Sequence, residues 1–118
     1  MWLFSTKGFY SVVQVEGAKD MFLLRARARQ DIANLFPTIK KRRIIEKGSR
    51  NADYRFRIQI TKEDLKKITA SIIDELDYTN FKRKISTCNE QRDKMEAYNE
   101  IWFAMYSFQE SKRLCTDF

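Results

Sequence analysis

Arginine recurs at every second position in two stretches of the chain, Arg25, Arg27 and Arg29 in the first and Arg55 and Arg57 in the second. In an extended strand successive side chains point to opposite faces, so residues two apart share one face. Guanidinium groups grip phosphate oxygens through a planar fork and stack on flat rings. A sheet presenting Arg25, Arg27, Arg55 and Arg57 can therefore hold a nucleotide or a nucleic-acid backbone. The same pattern also suits a solvated face whose arginines pair with acidic neighbours, or an edge strand guarded against aggregation. A second group lies toward the C-terminus, where Asn80, Phe81, Arg92, Tyr98 and Trp102 offer aromatic faces, an amide and a cation. Such a set can sandwich a purine and read its edge, while Phe81 and Trp102 are equally suited to a core. Lys112 and Arg113 fall in a last helical turn, where the helix dipole already favours cations.

Other chemistries are poorly represented. With no His in the chain, the commonest general base and the usual Ser-His-Asp and Cys-His nucleophile arrangements are excluded, as are nearly all zinc sites. Cys88 and Cys115, the only two cysteines, cannot build a four-thiolate site and have the spacing of free thiols in a reducing cytosol rather than of a disulfide framework. No phosphate-binding glycine loop or dinucleotide fingerprint occurs, Ser5-Thr6-Lys7-Gly8 being too short for either. Asp74, Glu75 and Asp77 cluster at a helix end, a pattern typical of solvated surface. The expectation is a protein without catalytic residues, metal or cofactor.

The elements that must position the arginines are legible in the patterning. Trp2 to Phe4 and Phe9 to Val15 read as strands joined by the turn Ser5 to Gly8, and Glu16 to Asp20 as the turn into a third strand, Met21 to Arg29. Asp31 to Phe36 makes a short helix stopped by Pro37. The basic run Lys40-Lys41-Arg42-Arg43 leads into a short strand, Ile44 to Glu46, with Gly48-Ser49-Arg50-Asn51 as the next turn. Tyr54, Phe56, Ile58 and Ile60 then alternate with Arg55, Arg57 and Gln59, placing the apolar set toward a core. Thr61 is an N-cap with Asp64 three residues on, and Leu65, Ile68, Ile72 and Leu76 mark one face of the helix that follows. The segment Asp77 to Lys82 breaks the pattern, within which Phe81, with Ile85, begins another short helix, and a long helix runs from about Asn89 to Arg113, with Met95, Tyr98, Trp102 and Met105 in heptad-like spacing. The order predicts an α+β fold, an antiparallel sheet with helices packed on one face and a long C-terminal helix.

The chain has 118 residues, 43% hydrophobic and 33% charged, and 23 Lys+Arg against 16 Asp+Glu give a formal net charge of +7. That length suits a single domain over 1–118, and the charge predicts an acidic partner. No stretch has the apolar length of a membrane span or a signal-peptide core, so a cytoplasmic protein is expected. Eight of the eleven residues from Tyr98 to Phe108 are apolar or aromatic, more than one packed helix face uses. Either the helix is sandwiched inside its own domain or it assembles copies of the chain, and the second reading is preferred, with Tyr98, Trp102, Met105 and Tyr106 at the interface.

Read end to end, the segments Met1-Trp2-Leu3-Phe4-Ser5-Thr6-Lys7-Gly8-Phe9-Tyr10-Ser11-Val12-Val13, Leu24-Arg25-Ala26-Arg27, Ala52-Asp53-Tyr54-Arg55-Phe56-Arg57, Asp77-Tyr78-Thr79-Asn80-Phe81-Lys82 and Tyr98 through Trp102 to Tyr106 resemble the first-described family of Thoeris anti-defence proteins of phages. The resemblance covers nearly the full chain. It implies a homo-hexamer in the infected bacterial cytoplasm that sequesters cyclic ADP-ribose isomers made by TIR-domain enzymes, and cyclic trinucleotides at separate sites, without cleaving them, so that Thoeris- and CBASS-type signalling is blocked. Carried onto this chain, it makes Asn80 and Phe81 base-contacting candidates, Arg25, Arg27, Arg55 and Arg57 phosphate candidates, and Arg92 and Arg113 weaker ones. The competing readings are a basic nucleic-acid-binding or anti-CRISPR-type inhibitor, and an interaction subunit whose apolar helix binds a host protein.

Overall fold

A computed structural model describes residues 1–48 and 52–116. It is α+β, as the patterning predicts. Strands β1 (Trp2–Ser5), β2 (Gly8–Val15), β3 (Ala18–Ala26), β4 (Ile45–Glu46) and β5 (Phe56–Thr61) form one antiparallel sheet in the order β1-β2-β3-β5-β4. The helices are α1 (Arg29–Ala33), α2 (Lys62–Asp74), α3 (Phe81–Thr87) and α4 (Met95–Thr116), the last preceded by a single 3-10 turn, Arg92–Lys94. The chain forms two compact units, Met1–Asp77 and Tyr78–Phe118. The division falls at the Asp77 break.

In the first unit, α1 and α2 lie on one face of the sheet. Tyr10 and Val12 of β2, Leu24 and Ala26 of β3, and Phe56, Ile58 and Ile60 of β5 meet Ile32, Leu35, Ile39 and Ile68 in a continuous core. Period-two alternation delivers the strand residues to it. Thr61 caps α2, its hydroxyl accepting from the Asp64 amide at 3.2 Å, and the helix stops at Asp74 rather than Leu76, with Glu75 as C-cap. At the β2–β3 turn Gly17 adopts φ 77°, a left-handed conformation that favours glycine.

The third strand has the expected length but lies three residues nearer the N-terminus, starting at Ala18 rather than Met21. It ends at Ala26, residues 27 and 28 bend, and Arg29 opens α1, so Arg29 leaves the row of arginines. The reason lies in Asp31, a buried carboxylate whose Oδ2 accepts from the Phe9 amide at 3.3 Å while its carbonyl accepts from the Tyr10 hydroxyl at 2.7 Å. Seating Asp31 and Ile32 requires the turn. Gly8 makes room for it, since a Cβ there would stand 2.5 Å from Asp31 Cγ.

The expectation that Tyr54 joins the core alternation is also corrected. Tyr54 precedes β5, is buried, and lies outside the core cluster; it packs with the arginines, as described below. The last helix begins at Met95 and not at Asn89, because Gln91 and Lys94 amides close tight turns onto the Cys88 and Gln91 carbonyls. Most of the expected turn at Gly48-Ser49-Arg50-Asn51 lies outside the described residues.

In the second unit, Ile85 and Tyr98 are buried, and α3 packs on the first turns of α4. From Ile101 to Gln109 every residue of α4 is exposed. Among the described residues no helix is long and apolar enough to cross a membrane.

Candidate anion site on the sheet

Arg25 and Arg57 are direct cross-strand partners in β3 and β5, and Ser11 is the partner of Arg25 on β2. The three therefore stand in one row on the face opposite the core. Arg25 Nη2 donates to Ser11 Oγ at 2.8 Å, and Arg57 Nη2 donates to the Tyr54 carbonyl at 2.9 Å. The ring of Tyr54, only 5% exposed, lies 4.6 Å from the Arg25 guanidinium carbon and 4.1 Å from that of Arg27. Phe9 flanks the group, its ring centroid 5.5 Å from Arg27 and 6.5 Å from Tyr54, and stacks in turn on Phe4 at 4.5 Å. Trp2 meets the edge of Phe9 at 5.9 Å.

Among the described residues none of Arg25, Arg27 and Arg57 forms an ion pair. Three like charges are held together by rings, a hydroxyl and a carbonyl. Each cation–π contact contributes about 0.5–1 kcal/mol when exposed and about 2 kcal/mol when desolvated. The Nε atoms of Arg25 and Arg57 are buried with no hydrogen-bond partner, and an orphaned buried donor costs about 1–3 kcal/mol, more when charged. Guanidiniums without an acidic partner beside aromatic rings have the chemistry to meet phosphate oxygens and flat rings.

The other expected residues have separate positions. Arg55 does not join the row: its Nε and Nη2 bind Glu46 Oε1 at 2.9 and 2.8 Å across the β4–β5 edge. For Arg55 the reading as an arginine paired with an acidic neighbour is the one the structure gives. Arg42 pairs with Asp64 and also donates to the Gln59 carbonyl at 2.9 Å. Asp74 and Asp77 are exposed, Glu75 pairs with Lys7 at 3.2 Å, and among the described residues no three His, Cys, Asp or Glu side chains converge to hold a metal ion.

In the second unit Asn80 caps α3, its Oδ1 accepting from the Arg83 amide at 2.9 Å. Its Nδ2 is left as the donor for any other contact. Phe81 packs between Tyr78 at 6.0 Å and Tyr98 at 5.4 Å. Trp102 stacks on Tyr106 at 5.2 Å with an interplanar angle of 5°, and Lys82 Nζ lies 4.6 Å from its ring centroid. Arg92 is exposed in the 3-10 turn, and Arg113 is bound to Glu110 one helical turn away at 3.0 Å. A shallow groove of about 650 Å³ runs along α4, lined by Ile101, Trp102, Met105, Tyr106, Phe108, Gln109 and Lys112.

Ser11, Phe9 and Tyr54 were not among the expected site residues. Period two along β2 places Phe9 and Ser11 on the arginine face and was a usable signal. For Tyr54 the same rule pointed the wrong way. The chain matches no family model, no curated protein and no solved structure.

Proposed function

We propose that this protein binds and sequesters small cyclic nucleotides of the cyclic ADP-ribose type, with cyclic trinucleotides as further ligands, and does so without cleaving them. The observation that carries the reading is the group Arg25, Arg27 and Arg57, with no carboxylate partner among the described residues and with Tyr54 and Phe9 beside it. The resemblance to the Thoeris anti-defence family supplies the ligand class and the setting, a phage protein acting in the cytoplasm of the infected bacterium. Sequestration without turnover asks only for affinity. To deplete a signal at about micromolar concentration the dissociation constant must be nanomolar, about −12 kcal/mol, and a small molecule reaches that with most of its surface covered.

Assembly supplies such cover. The side chains of Trp102, Phe103, Met105, Tyr106 and Phe108 are about half exposed or more, and a contiguous apolar surface on a helix is the usual mark of an interface. The reading is a homo-oligomer, a hexamer by the family resemblance, formed through α4 and enclosing ligand between subunits.

The test is native mass spectrometry of protein purified from cells that make a TIR-derived signal, followed by calorimetry with cyclic ADP-ribose isomers. A hexamer carrying a nucleotide-sized mass, released intact on heating, is the expected result. A ligand-free monomer overturns the reading. Affinity that falls about a thousandfold between 50 and 200 mM salt assigns the basic face to a nucleic-acid polymer instead, since contact with six or more phosphates releases that many counterions.

A further inference from the structure

We propose that Tyr54, whose ring lies against the Arg25 and Arg27 guanidiniums and whose carbonyl accepts from Arg57, is the positioning residue that makes these three cations a binding site for a pyrophosphate-like anion. The inference rests on the anion-binding part of the proposed function and names the device behind it. Three guanidiniums this close repel one another and scatter toward solvent unless something holds them. A carboxylate would hold them, but it would neutralise the charge and consume the in-plane N–H donors that phosphate needs. An aromatic ring attracts a guanidinium through its face and leaves the N–H edge free.

Tyr54 does this twice, at 4.6 Å from Arg25 and 4.1 Å from Arg27. Its carbonyl takes a single N–H of Arg57, at 2.9 Å. Ser11 takes a single N–H of Arg25, at 2.8 Å. The Nε of both arginines is buried without a hydrogen-bond partner, so each guanidinium is seated in the protein through a single Nη2 bond, and its other Nη N–H groups are the donors left for a ligand. Because Arg25 and Arg57 are directly paired across β3 and β5, their forks serve neighbouring oxygens, as in two linked phosphates. The position of Tyr54 is what permits this. It lies ahead of β5, released from the strand alternation that would have sent its ring to the core.

Arginine-selective 15N spectra read the geometry directly, and calorimetry with inorganic pyrophosphate reads its consequence. In the wild-type protein the Nε–H signals of Arg25 and Arg57 are expected to be separate from the bulk and slow to exchange, with the Arg25 signal shifted by the Tyr54 ring. Tyr54→Phe keeps ring and carbonyl and should leave spectrum and affinity within about threefold. Tyr54→Leu keeps apolar bulk but no π face, and should collapse the Arg25 signal and weaken pyrophosphate binding about tenfold or more, as expected for the loss of two cation–π contacts, with the backbone amide spectrum of the core strands unchanged. Unchanged arginine signals and affinity in Tyr54→Leu overturn the proposal. So does a wild-type spectrum in which both Nε–H groups exchange like free arginine, a result that needs no variant to fold. Wild-type protein that binds pyrophosphate through Tyr54 but no cyclic ADP-ribose isomer overturns the sequestration reading and upholds this one; protein that binds neither overturns both.

Discussion

Arg25 and Arg57 face each other as register partners in β3 and β5, and among the described residues neither has an acidic partner. Like charges directly opposite on neighbouring strands destabilise a sheet. Replacing one therefore has opposite effects on stability and on binding. Arg57→Ala should leave the protein folded, with thermal stability within about 1 kcal/mol of the parent or above it, while ligand affinity falls at least tenfold by calorimetry and the oligomer persists by native mass spectrometry. Equal affinity in parent and variant would remove Arg57 from the site.

Phe81→Ala carries a different expectation. Its ring packs on Tyr78 and Tyr98, so truncation costs packing as well as any ligand contact. A loss of roughly 1–3 kcal/mol is expected for this partly buried ring, below the range for a fully buried one. Phe81→Leu recovers most of the packing. Binding lost in both variants, with thermal stability recovered in the leucine variant, assigns Phe81 to ligand; binding recovered along with stability assigns it to packing alone.

Polar substitution of α4 tests assembly. Trp102→Gln with Tyr106→Gln removes a stacked pair that is half exposed, leaving the buried Tyr98 and Ile85 in place. The double variant should sediment as a smaller species than the parent with its helix content unchanged by circular dichroism. Identical sedimentation would mean that α4 does not assemble the chain.

Gly8→Ala is expected to destabilise the protein's first unit. The added Cβ meets Asp31 Cγ at 2.5 Å, and Asp31 cannot withdraw without giving up the Phe9 amide. Overpacking of this kind costs about 1–3 kcal/mol. Denaturant titration checks it, with Gly17→Ala as a comparison in open space but with a positive φ of 77°, where strain alone operates.

Thr61→Ala should cost about 1 kcal/mol through loss of the α2 cap, with no change in ligand affinity. A matching fall in affinity would tie α2 to the site.

What the sequence determined by itself follows from strict local periods. Alternation in β2, β3 and β5 assigns Tyr10, Val12, Leu24, Ile58 and Ile60 to one face and Ser11, Arg25 and Arg57 to the other, because a strand has no other way to place its side chains. The Thr61 cap and the apolar excess of α4 are equally local. Only tertiary structure decided where the alternation stops. Asp31 needs the Phe9 amide and a glycine at position 8, so β3 ends early and Arg29 goes to α1. Glu46 on β4 takes Arg55 out of the cationic row. Tyr54, two residues before β5, is not bound by the strand's pleat, and its ring settles against Arg25 and Arg27 rather than in the core. A period states which face a residue takes while the strand lasts; contacts from distant segments set where the strand ends, and the cluster of three arginines was assembled at those ends.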